Sequence, residues 1–173
     1  MYDFLQSYVN RNLEYKMLEK QHTKVLNKIY ELIQSSGKNA CWGLTGSTSF
    51  ALQGMDVDVH DIDIQTDEAT AYLLGELLAD YEVEPVRFRG NEKIRSHFGK
   101  FLVDGIEVEV MGDIQKKTEG KWEDIIPLNT LLDYVSYGDK SIPVLRLTYE
   151  SKAYRKLGRI EKAEQIDGFI KNS

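Results

Sequence analysis

Cysteine occurs once in the 173 residues, at Cys41, so the chain can form no internal disulfide and no thiolate-rich metal site, and a reducing compartment is its simplest setting. Long apolar runs are missing as well. No segment reaches the roughly 18 consecutive apolar residues that a membrane-spanning helix needs, and the opening MYDFLQSYVNRNLEYK is broken by charged and amide residues where a signal peptide would be apolar. These absences predict a cytoplasmic protein without membrane attachment. Positive charge is in deficit, with 22 Lys and Arg against 28 Asp and Glu for a net charge of −6. The overall field repels phosphate backbones, which argues against general nucleic-acid binding and requires any phosphate to be met locally. The histidines at 22, 60 and 97 are not spaced as zinc ligands.

What is present begins with apolar residues at helical spacing. Phe4, Leu5, Tyr8, Val9, Leu13 and Met17, then Val25, Leu26, Ile29, Leu32 and Ile33, predict two helices or one bent helix before the SSG stop at 35–37. ACWGLT (40–45) reads as a buried strand, STSFALQG (47–54) as a short helix ending at Gly54, VHDIDIQ (59–65) as a strand, and DEATAYLLGELLADY (67–81) as an amphipathic helix. EVEPVRF predicts a strand interrupted by Pro85. HFGKFLV and IEVEVM predict a hairpin turning at Asp104-Gly105. From NTLLDYV (129–135) onward helix is expected to return, with a brief extended piece at Ile142–Val144 and a break near Gly158. The expected fold is α/β: a small mixed sheet covered by helices, ending in a helical segment. The expected organisation is one domain over 1–173, with an extra N-terminal helix in 1–22, a catalytic core in 23–113 and a mainly helical part in 114–173. The first helix is expected to pack within the chain, with a homodimer seam as the alternative.

Asp61 and Asp63 alternate with Ile62 and Ile64, so in a strand the two carboxylates share one face and repel. A hard divalent cation with oxygen ligands relieves that repulsion. Gly46-Ser47 falls at a strand-to-helix turn, where a bare backbone and a hydroxyl can receive a phosphate. Glu107 and Glu109 alternate in the same way on the second hairpin strand. A phosphate seat and two acidic strands make the set required for two-metal phosphoryl transfer. The cations of RFRGNEKIRSHFGK (87–100), Lys93 and Arg95 first among them, precede the acidic strand and are candidate phosphate contacts.

LTGS (44–47), thirteen intervening residues, DIDI (61–64) and a later VEV (108–110) resemble the nucleotidyltransferase superfamily that includes DNA polymerase beta and the aminoglycoside and lincosamide nucleotidyltransferases. The ending LTYESKAYRKLGRIEKAEQI is similar to the helical tail of small bacterial and archaeal members. The resemblance implies transfer of a nucleoside monophosphate from a triphosphate, ATP by default, to a hydroxyl of a small molecule or a protein. It implies Asp61, Asp63 and a hairpin glutamate as ligands of Mg2+, two ions with Mn2+ as a substitute, and Gly46 with Ser47 as triphosphate contacts. Glu109 is the expected third acid and Glu107 the second choice, because Glu107 lies towards the hairpin tip. The alternative is a noncatalytic nucleotide sensor, or an antitoxin-type protein with a toxin-like partner.

Overall fold

Hydrophobic residues three and four apart give a helix one buried stripe, and in the first described helix, α1 (Lys20–Ser35), that stripe is His22, Val25, Leu26, Ile29 and Ile33. A computed structural model describes residues 18–173; the extra helix expected over 1–22 lies outside the described residues as far as position 17. The chain continues through β1 (Trp42–Thr45), α2 (Gly46–Leu52), β2 (Ile62–Thr66), α3 (Glu68–Leu77), β3 (Glu82–Gly90), β4 (Ile94–Val103), β5 (Ile106–Thr118), β6 (Lys121–Trp122), β7 (Leu132–Tyr137), β8 (Lys140–Leu145), α4 (Leu147–Lys156) and α5 (Ile160–Asn172).

The strands form an open mixed sheet in the order β3-β4-β5-β2-β1-β8-β7, with β6 added to β5. β2 runs parallel to β5 and antiparallel to β1, while β1 is parallel to β8. Ile62, Ile64, Val108 and Val110 are fully buried, so one face of β2 and β5 belongs to the core and the alternate residues are left for the other face. Asp104 and Gly105 both have positive φ, 48° and 84°, the backbone a two-residue hairpin turn requires. Lys28 ties this turn to α1 through the Asp104 carboxylate, 2.8 Å away.

Two expectations need correction. Residues 132–137 are a strand, not a helix, and pair with β8 from Leu132↔Leu145 to Tyr137↔Lys140 around Gly138. Leu131, Leu132 and Val135 also satisfy helical spacing, but Tyr134, Val135 and Tyr137 favour an extended chain and Gly138 supplies the turn. The part beyond residue 113 is therefore not mainly helical, and β5 runs through that boundary without a break. β3, in turn, continues past Pro85, because it is an edge strand whose ladder is irregular between Glu82 and Arg87. Among the described residues no helix is long and apolar enough to cross a membrane.

Candidate active site

The turn between β1 and α2 brings the first elements together. Gly46 has φ +67°, and a Cβ placed on it would lie 2.5 Å from Asp63 Oδ2. The bare glycine is thus required by a carboxylate of the chain itself. α2 is seven residues long, and Thr48 Oγ1 donates to the main-chain oxygen of Asp61 at 2.6 Å, which fastens the residue before β2 to this helix.

β2 starts at Ile62, so Asp61 stands just outside the strand and Asp63 within it. In register, Asp63 sits beside Thr45 on β1 and Glu109 on β5. Lys100 on β4 is the cross-strand partner of Glu109, and its Nζ lies 3.0 Å from Glu109 Oε1 and 3.0 Å from Glu107 Oε1. The two glutamates differ in exposure: the Glu109 side chain is 26% exposed and that of Glu107 is 47% exposed.

The carboxylates outweigh the charge available to neutralise them. Burial, then Asp61, Glu109, Glu150 and Glu107, push the Asp63 carboxyl up to about 7. Glu150 on α4, 3% exposed, accepts hydrogen bonds from Thr45 Oγ1 at 2.6 Å and the Gly46 N–H at 3.3 Å. Burial raises its carboxyl to about 7 against the pull of those two donors and of Lys116. Hydrogen bonds to Glu109 and Glu107 push the Lys100 ammonium up. Among the described residues no three His, Cys, Asp or Glu side chains stand close enough to hold an ion together. The donor set of Asp61, Asp63 and Glu109 is nonetheless all carboxylate oxygen and carries excess negative charge, which suits a hard divalent cation once Glu109 is released from Lys100.

A cleft of about 190 Å³ is lined by Asp63, Glu109 and Glu150 together with residues of the sheet and of α4, and Asp61 is not part of its lining. Its lining separates the predicted phosphate contacts: Gly46 belongs to it, whereas Ser47 is half-buried beside it and Lys93 and Arg95 lie elsewhere. Ile94, between the two cations, faces the cleft. Arg95 instead donates from Nε to Gln115 Oε1 at 3.0 Å and lies 4.3 Å from the centre of the Trp122 ring, and Lys93 is exposed. The cations that do line the cleft are Lys116 and Arg159.

Strict alternation along β5 from Glu109 would turn Lys116 away from the cleft. Asp113, at φ +47°, interrupts the alternation. There the register moves from His97↔Gly112 to Arg95↔Gln115, a bulge that turns Ile114 and Lys116 onto the same face as Glu109. The signal in the local sequence is Gly112-Asp113, a glycine inside a strand pattern followed by a residue that tolerates positive φ. For Glu150 the available signal was a lone acid on the inner face of a helix.

The aminoglycoside-2''-adenylyltransferase family matches residues 25–168. The fold is similar to the crystal structure of a "putative nucleotidyltransferase" from Thermotoga maritima, TM1012, with 47% identity and a TM-score of 0.78 over 91% of this chain and 97% of that one. It is also similar to the lincosamide antibiotic adenylyltransferase LnuA, solved with lincomycin bound, at 16% identity and a TM-score of 0.51 over 87% of this chain and 98% of that one. At that identity the likeness concerns the fold. No curated protein matches the chain.

Proposed function

The chain belongs to the aminoglycoside-2''-adenylyltransferase family, within the nucleotidyltransferases, and on that premise we propose that it transfers a nucleoside monophosphate, from ATP by default, to a hydroxyl of an acceptor. The observation that carries this reading is the pairing of Asp63 with Glu109 on adjacent parallel strands, with the Asp63 carboxylate against the bare backbone of Gly46. In the reaction the acceptor oxygen bonds to the α-phosphorus, the bond from that phosphorus to the β-bridging oxygen breaks, pyrophosphate leaves, and the hydroxyl proton passes to the carboxylate-rich face of the cleft.

Asp61, Asp63 and Glu109 would hold Mg2+, or Mn2+ in its place. A bound ion supplies charge neutralisation of the triphosphate and of the transition state. Lys100, bridging both glutamates, holds Glu109 against β4 until a stronger cation competes for it. Gly46 leaves room for the Asp63 carboxylate at the turn, its backbone would meet the triphosphate there, and Ser47 offers its hydroxyl at the same place.

The bridge from Lys100 also favours a second reading, a noncatalytic nucleotide sensor or antitoxin-type partner in which Glu109 stays paired. Incubation with ATP, Mg2+ and a pool of metabolites, followed by mass spectrometry, separates the two. An enzyme gives an acceptor heavier by one nucleoside monophosphate together with pyrophosphate; a sensor binds ATP and gives neither. Absence of both binding and product defeats the proposal.

A further inference from the structure

Buried lysines are rare without a carboxylate partner, because a desolvated ammonium is unfavourable unless pairing or hydrogen bonding offsets the lost hydration. Lys116 is 5% exposed. Among the described residues no carboxylate oxygen comes within ion-pair distance of its Nζ. Its hydrogen bond goes to the Tyr149 hydroxyl at 3.2 Å, with the Tyr149 ring centre 5.3 Å away. An ammonium has three donors, and that contact takes one of them. Glu150, the buried acid that acts on Lys116 through the field, has its Oε1 committed to Thr45 and Gly46.

The lysine is also delivered to the cleft at a cost in regularity. The bulge at Asp113 reverses the face that β5 presents, and without it Lys116 would lie on the opposite side of the sheet. Arg159 lines the same cleft, its guanidinium 4.7 Å from the centre of the Tyr154 ring. The cleft is therefore lined by the acids Asp63, Glu109 and Glu150 and by the cations Lys116 and Arg159.

We propose that Lys116, with the Tyr149 hydroxyl, is an anion seat that takes a phosphoryl oxyanion inside the cleft. A phosphoryl group offers several oxygens to one ammonium and one hydroxyl and satisfies the donors that the protein leaves open. The group is either part of the donor triphosphate or a phosphate on another ligand of the cleft; the first source rests on the nucleotidyl-transfer reading above, and the second does not.

Isothermal titration of the full chain with Mg-ATP, tripolyphosphate and inorganic phosphate tests this, in wild type, Lys116→Met and Lys116→Arg. The methionine variant should lose about 10- to 100-fold in affinity for at least one of these probes, the range of a lost charge-assisted contact, while the arginine variant retains most of it. Loss for Mg-ATP and tripolyphosphate assigns the seat to the donor; loss for inorganic phosphate alone assigns it to the other phosphate-bearing ligand. Phosphate binding by a wild type that ignores Mg-ATP would defeat the nucleotidyl-transfer reading and leave the seat standing. Wild-type affinity for all three probes in Lys116→Met, or no binding of any probe by wild type, overturns the seat. Should Lys116→Met fail to fold, Lys116→Arg and Tyr149→Phe decide: unchanged affinities in both overturn it, and a loss in Tyr149→Phe alone supports it.

Discussion

Replacing Asp63 with asparagine should stabilise the metal-free protein at pH 8 and change it little near pH 4. The Asp63 carboxyl titrates near 7 in the folded protein against an ordinary value of 3.8, chiefly because it is buried and then because Asp61, Glu109, Glu150 and Glu107 surround it. Between those two values the unfolded chain has released a proton that the folded chain still holds. Stability therefore falls as the pH rises through this window and is flat above it. Each pH unit is worth about 1.4 kcal/mol, so the ionised group costs the fold up to ~4 kcal/mol at pH 8. Asparagine removes the charge but keeps a polar group in the same half-buried place, which leaves a net gain of about 2 kcal/mol. For a protein of this length that corresponds to a rise in Tm of roughly 4–8 °C. Glu150 titrates in the same window but is common to both proteins, and much of its effect cancels in the difference. The assay is thermal unfolding of wild type and variant at pH 4 and pH 8 with EDTA, repeated with millimolar Mg2+. Mg2+ should raise the Tm of wild type and have little effect on the variant. A variant less stable than wild type at pH 8 without metal would refute the charge-crowding argument.

Gly46→Val should weaken ATP binding more than Ser47→Ala does, since a side chain at φ +67° drives into the Asp63 carboxylate whereas the alanine loses one hydroxyl; equal ATP affinity in wild type and Gly46→Val would remove the turn from the site. Glu109→Gln should abolish turnover and Glu107→Gln only reduce it, because Glu109 is the register neighbour of Asp63; steady-state kinetics in the reverse order would exchange their roles. Arg95→Ala should leave ATP affinity unchanged and lower stability by about 1 kcal/mol, the worth of its stacking on Trp122; loss of ATP affinity in that variant would return Arg95 to the site.

Local pattern alone determined much of this protein. Asp61-Ile62-Asp63-Ile64 specifies a strand with an acidic face and an apolar face, Asp104-Gly105 specifies a hairpin, and a glycine after LT permits a turn that few other residues could make. Each of these depends on a few adjacent residues, on side-chain periodicity or on the sterics of positive φ. The tertiary structure decided what those faces meet. It placed β5 parallel to β2 in the register that sets Glu109 beside Asp63, it paired residues 132–137 with β8 where helical spacing was equally satisfied, and it buried Glu150 against Thr45 and Gly46. Strand neighbours and register come from contacts between segments far apart in the chain, to which local periodicity is blind. The bulge at Asp113 is the sharpest instance: one residue in the left-handed region reverses the facing of everything after it. It sends Lys116 into the cleft, while Arg95, one of the two cations favoured for preceding the acidic strand, is stacked on Trp122.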